Sequence, residues 1–445
     1  MQKTFSPENV HRKDYVDYEF IWEELKRLIA LSPVEMIKYY DDHPEDNLCF
    51  LNRPDGFVFM FTSAGETRFR QILLRGLKSL SDEALRYDRA VALQALKRQF
   101  VARIWNGVEI TEGNAHDIFT SALAEMSSVQ TPLTHYVPCS LVAHRKLTQF
   151  SIGRVEFIER QRFLEERGPD IWNDNCAAPD PILAQLKRFF SLFSWVAAVK
   201  VPACDSAVSK RRANATVQRA LDLFKLFVGS IRGSYVRRGY DLTAPSRMIG
   251  LASTSAGKYQ ISYDGGKLQD AVINDDWYDQ IQAFPEWSIA QSILSAGWQV
   301  DSRAPEAQQR FLDGLAWHSD AISEPDPASR VVKFWAAIER VVTLRKGDNI
   351  TRRAAILNSS KAGFADKYSL AQTLYSRRSA IVHGSANRVE QWHERVAMQS
   401  EAFSQHVLYG YLLAVDGLAL TSDTDDKDVR RKLQAWFKGT EAKLS

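Results

Sequence analysis

Apolar residues recur at three- and four-residue intervals along most of this chain, and change to a shorter period in only a few places. Residues 16–40 read as helical through Trp22, Leu25, Leu28 and Ile29, and Ser32-Pro33 opens a second short helix. Leu48-Cys49-Phe50-Leu51 and Phe57-Val58-Phe59-Met60-Phe61 flank Asn52-Arg53-Pro54-Asp55-Gly56. That predicts a hairpin near 48–62, because proline presets one turn dihedral and glycine tolerates positive φ. Helical spacing returns over 66–105, with Leu73, Leu77, Leu80, Leu93, Leu96, Phe100 and Ile104, and over 115–126.

From 131 the pattern is mixed. His135 to His144 and Phe150 to Ile158 read as strands, joined near Arg145-Lys146. A helix is expected over 181–195 and a buried strand over 196–201. An amphipathic helix is expected over 211–228, through Val217, Leu221, Phe224 and Phe227. Met248 to Ala252 and Tyr259 to Tyr263 read as further strands. A boundary is expected near 300–306, and the remainder is almost wholly helical. Its helices are expected near 306–322, 328–345, 350–357, 367–383 and 390–419, with an acidic stretch at 421–428 and a small closing helix through Leu433, Trp436 and Phe437. The fold class is α+β, mainly α. A mainly helical region over 1–130 and an α+β region over 131–300, together a mixed α/β N-terminal part, precede an all-α bundle over 301–445.

Composition narrows the functional classes. The 445 residues carry a formal net charge of +3, so any nucleic-acid binding needs a local patch. Cys49, Cys139, Cys176 and Cys204 are widely spaced, without the close Cys/His spacing of a zinc site; no metal and no cofactor is expected. Reduced thiols, a polar N-terminus and the absence of a long apolar run point to a cytoplasmic protein with no membrane partner. Ser255-Ala256-Gly257-Lys258 is not a Walker loop, since Ala252 and Tyr259 occupy the positions of the first glycine and the hydroxyl.

The stretch Leu370–Gly384 carries the sharpest chemistry. Arg378 and His383 stand five residues apart near the end of a helix, and Gly384 reads as its stop. On a straight helix their side chains leave about 140° apart. They converge only if the last turn tightens or ends, or if a second copy completes the site. The plain alternative is a histidine at a helix C-terminus, worth about 0.3–1 kcal/mol. Trp317 and Trp335 read as core, and His318, His393 and His406 as packing or surface residues.

Three stretches, GLAWHSDAI (314–322), RVVKFWAAIERVV (330–342) and LYSRRSAIVHG (374–384), resemble in order and spacing the HEPN superfamily of helical nucleases, most closely its Apea-like branch. The resemblance covers roughly residues 305–420. It implies a metal-independent endoribonuclease, with Arg378 and His383 in the two main positions of the Arg-x4-6-His motif. Ser379 takes the intervening polar position, where a longer Asn, Asp or His is usual. Arg377 is a supporting neighbour, and Glu339 falls where related bundles carry an acidic residue. Arg352 and Arg353 are the basic residues chosen for tracking the RNA backbone. The resemblance further implies a homodimer, RNA of host or phage (tRNA included) as partner, and a phage-derived trigger. Its setting is prokaryotic antiviral defence by abortive infection, with residues 1–300 restraining a toxic effector. The alternative is an inactive bundle that binds a protein or nucleotide.

Overall fold

The chain is described by a computed structural model over residues 7–29, 33–43, 49–52, 58–143, 147–174, 184, 193–233, 236–239, 250–254, 257–262, 271–272, 276–296, 306–359, 363–384, 392–420 and 424–444. It is an α+β fold, mainly α, in two compact units: residues 1–132 with 202–209, and residues 133–201 with 210–445.

In the first unit the helical spacing becomes α1 (Pro7–Ile29), α2 (Pro33–Asp42), α3 (Ser63–Ser79), α4 (Arg89–Trp105) and α5 (Ala115–Ser128). The expected hairpin is β1 (Cys49–Asn52) against β2 (Val58–Phe61), antiparallel; its turn lies outside the described residues. Thr62 and Asp88 start α3 and α4 by accepting backbone N–H groups of the first turn. Tyr18, Phe69 and Phe100 meet at the centre, Tyr18 stacked on Phe100 at 5.4 Å. Asp14 and Asp17 are buried beside them and share the Arg75 guanidinium, at 2.7 Å and 2.6 Å. The periodicity reports the apolar face of α1 and is silent on this ion cluster.

The second unit holds an antiparallel sheet of β3 (Leu133–Ser140), β5 (Gln149–Ile152), β6 (Val155–Glu159), β7 (Trp195–Val201), β9 (Gly250–Thr254) and β10 (Tyr259–Ser262), in the order β10-β9-β3-β7-β6-β5. Short β8 (Arg237–Arg238) joins β3, and β4 (Val142–Ala143) pairs with β11 (Ala271–Val272). One sequence expectation changes. The stretch 150–158 belongs to a hairpin, not one strand, because Gly153 turns the backbone at φ +60°. Leu133–Ser140 pairs with β7 and β9. The Arg145-Lys146 connection, most of the expected 181–195 helix, and all of the expected junction near 300–306 but Glu306 lie outside the described residues. The outer edge of β5 is closed by side chains: Tyr278 Oη donates to Ser151 O at 3.0 Å, and Gln291 bonds Ser151 and Gly153. Tyr278 lies on α9 (Trp277–Gln282) and Gln291 on α10 (Pro285–Ala296), neither expected from the sequence, as is α6 (Arg160–Asp174).

The sheet's long helix, α7 (Ser206–Val228), packs on the C-terminal helices. These are α11 (Glu306–Ser323), α12 (Pro327–Val342), α13 (Ile350–Leu357), α14 (Phe364–Val382), α15 (Trp392–Gly417) and α16 (Asp426–Leu444); the four-residue α8 (Ser230–Gly233) follows α7. Ser319 Oγ of α11 donates to Asp222 of α7, Lys225 Nζ donates to Ser323 Oγ at 2.6 Å, and Gln405 Nε2 of α15 donates to Leu226 O at 2.6 Å. Polar groups this buried need partners, so these bonds tie the helices to residues from before position 300. Asp326 caps α12 behind the Pro325–Pro327 break, accepting the Ser329 N–H at 2.9 Å. Val331, Phe334, Trp335, Ile338, Val341 and Val342 are fully buried, as their stripe predicts. Gly410 of α15 lies against the Leu357 carbonyl of α13, where any Cβ overlaps backbone oxygen. The closing helix, α16, is 19 residues long, more than the small helix expected, and buries Val429, Leu433 and Phe437. Among the described residues no helix is long and apolar enough to cross a membrane.

Candidate functional site

Helix α14 carries the Arg378/His383 pair. Ala371 and Leu374 are its buried residues. Val382 is 48% exposed, so the end of the helix stands clear of the bundle. His383 is the C-cap, and Gly384 follows at φ +72°, the left-handed geometry that a glycine stop predicts. The His383 N–H donates to Ser379 O at 2.9 Å, a regular i−4 bond. The last turn therefore has not tightened before His383, and the two side chains leave the helix on well-separated headings.

Their surroundings differ accordingly. Arg378 turns toward α12, where Nη2 lies 3.3 Å from Glu339 Oε1; the two side chains are 22% and 28% exposed. Its guanidinium also lies over the Tyr375 ring, 5.7 Å from the centroid. Tyr375 meets the buried Trp335 edge-on at 5.2 Å. Trp335 and Glu339 are one turn apart on α12, and Tyr375 and Arg378 one turn apart on α14. Each helix thus contributes an aromatic ring at depth and a charge at the rim. Arg378 Nε is buried and, among the described residues, bonds nothing. His383 is exposed, and among the described residues its ring makes no hydrogen bond.

The structure brings Arg378 and Glu339 together. It does not bring His383 onto either of them. Ser379 is half-buried beside Arg378. Arg377 lies on the exposed side, its guanidinium 4.8 Å from the centre of the Trp392 ring at the start of α15. Arg352 and Arg353 are held within the bundle. Arg352 Nε lies 2.6 Å from Glu441. Arg353 is bound to Asp348, donates to Val342 O at 2.9 Å and lies over Phe437. A guanidinium with its donors so engaged is poorly placed to take a phosphate.

Two of the other histidines are buried in the core. His318 is fully buried against Phe334, 3.0 Å from Ser404 Oγ, and desolvation pushes its pKa down to about 3. His135 is buried in β3, and desolvation, helped by Lys210, lowers it to about 4. Both are neutral imidazoles in the core. His383 is the histidine of the motif, and it stands in solvent. Among the described residues, no group of three or more His, Cys, Asp or Glu side chains is placed to hold a metal ion.

Sequence reading missed Tyr375 and the exposure of Trp317. Tyr375 was findable: it precedes Arg378 by one helical turn, on the same face. Trp317 was findable too: at 100° per residue it lies at least about 120° from Phe311, Leu315 and Ile322, on the face of Asp313 and Asp320. Comparison with family models, with curated proteins and with solved structures finds no match to this chain.

Proposed function

We propose that this chain is a metal-independent endoribonuclease, with Arg378 binding and polarising the scissile phosphate and His383 moving protons. The observation that carries this reading is an arginine anchored by Glu339 near the end of a helix that closes on a solvent-exposed histidine. RNA supplies its own nucleophile, the 2′-hydroxyl. Cleavage needs a base for that proton, an acid for the departing 5′-oxygen, and positive charge on the crowded phosphate. An imidazole with an ordinary pKa of about 6.5 suits proton transfer near neutral pH. A guanidinium stays charged and offers a planar fork to two phosphate oxygens. Stabilisation of developing charge is worth roughly 3–4 kcal/mol per donor.

One imidazole cannot be base and acid at once. With the side chains of one helix diverging, a second copy of the chain supplies the missing group: a two-fold pair in which two His383 rings and two Arg378 guanidiniums share one cleft. By resemblance, the setting is RNA cleavage in anti-phage defence.

Glu339 also favours a second reading. A carboxylate already on Arg378 competes with phosphate, as it would in a bundle that uses this rim to bind a partner protein or nucleotide. Incubating the purified protein with total RNA in EDTA separates the two. Cleavage by wild type that is lost in Arg378→Ala and in His383→Ala supports the nuclease. Intact RNA, or cleavage that survives both substitutions, overturns it.

A further inference from the structure

Helix α12 has a second polar rim, facing α11. Trp317 is 45% exposed there. A single exposed tryptophan needs no explanation. This one, however, lines a shallow depression of about 460 Å³ together with Asp313, Ala316, Asp320 and Arg340. The four α11 residues are spaced at intervals of three, one and three, along one face. Two ion pairs frame the depression. Arg340 Nε lies 2.7 Å from Asp313 Oδ2, and Lys333 Nζ lies 2.8 Å from Asp320 Oδ2. The Asp320 side chain remains about half exposed, so it can exchange partners.

The lining selects a chemical class. A divalent cation would meet carboxylates already paired with Lys333 and Arg340. A wholly apolar ligand would have to strip water from those ion pairs. A nucleobase suits what is left open: its ring stacks on the indole, and an exocyclic amino group donates to the half-exposed Asp320, while Arg340 stays on Asp313.

Position links this depression to the Arg378 rim. Glu339 and Arg340 are neighbours on α12, so their side chains leave about 100° apart. Glu339 faces Arg378, and Arg340 faces Asp313. The two rims therefore flank one helix of about 10–12 Å diameter, a width that a short single strand crosses. We propose that the Trp317 depression is a subsite for an unpaired nucleobase of the RNA strand whose phosphate lies at Arg378. This rests on the ribonuclease reading above. It specifies the substrate as single-stranded, since a duplex keeps its bases stacked and out of reach of such a platform.

The test uses full-length His383→Ala protein and a fluorescein-labelled single-stranded RNA oligonucleotide, read by anisotropy. Adding Trp317→Ala is expected to raise Kd about tenfold, within the range for a lost base–aromatic stack. Trp317→Phe should keep most of the affinity, and binding to a duplex of the same sequence should not change. Thermal unfolding of each variant reports whether the fold is intact. If wild type cleaves RNA and Trp317→Ala binds the single strand as its parent does, the subsite is overturned and the nuclease stands. If wild type does not cleave but Trp317-dependent binding is found, the nuclease falls and the subsite stands as a single-strand site. No binding by the parent, or an equal loss on duplex, overturns the subsite.

Discussion

The Arg378 guanidinium lies 3.3 Å from the Glu339 carboxylate, across the seam between α14 and α12. That contact fixes the direction in which the proposed phosphate ligand, Arg378, faces. Glu339→Gln keeps the shape and removes the charge. The pair is partly exposed, so stability should fall by less than about 1 kcal/mol. The expected loss is in kcat, roughly tenfold, with KM little changed, because a guanidinium without its anchor is less often aligned. A variant with wild-type kcat would make Glu339 a bystander.

Composite sites have a kinetic signature. His383→Ala chains mixed with wild type should lower cleavage out of proportion to their share, because a mixed pair holds one imidazole where two are needed. The measurement is activity against mixing ratio at constant total protein. Strict proportionality would show that each chain carries a complete site.

Arg352 and Arg353 separate stability from binding. Arg353→Ala removes a well-buried partner of Asp348, whose side chain is 3% exposed, and a bond to Val342 O. Unfolding stability should fall by about 3 kcal/mol, the scale for a broken buried pair. Arg352→Ala breaks a contact about one-third exposed and should cost under about 1 kcal/mol. Neither should change RNA affinity in the folded protein; denaturant melts beside anisotropy titrations test both statements.

His318 sets an acid limit on stability. Its folded pKa of about 3 lies below its ordinary 6.5, so the unfolded chain takes up the proton first. Below pH 6.5 the unfolded state binds more protons, and stability falls as pH falls, by up to about 1.4 kcal/mol per pH unit from this group. Asp222 acts in the opposite sense. Burial raises it to about 6, so its contribution is present at low pH and is lost as pH rises from about 4 to 6. Between about pH 4 and 6 the two contributions oppose each other, so the stability of His318→Gln relative to wild type should rise as pH falls from 6.5 to 4, measured by denaturant unfolding at several pH values. An unchanged pH profile would mean that the imidazole is not buried neutral.

Truncation at the expected boundary should fail to give a stable bundle. A fragment of residues 301–445 loses Asp222, Lys225 and the Leu226 carbonyl, the partners of Ser319, Ser323 and Gln405. It also bares the apolar faces that α7 covers. Such a fragment should unfold at lower denaturant than the full chain, without a cooperative transition of full amplitude. A fragment that melts like the full chain would show that the C-terminal helices stand alone.

Legibility differs from element to element. The stripe of α12 and the stop at Gly384 were readable, because each depends on residues a few positions apart. The N-terminal hairpin strands were readable for the same reason. The pairing of β3 with β7 was not, since the residues that meet are about sixty positions apart and nothing local encodes register. Helices α9 and α10 were hidden by their aromatic, turn-rich neighbourhood, and α6 by its charge and its Pro169.

Sequence alone therefore determined the mainly helical α+β class and the place of Arg378 and His383 near the end of one helix, since helical spacing and caps are local properties of the chain. Tertiary structure alone decided that Arg378 faces Glu339 while His383 faces solvent, and that Arg353 is a strut of the bundle. Those outcomes depend on which helices pack on which faces, and that is settled by burial summed over distant parts of the chain.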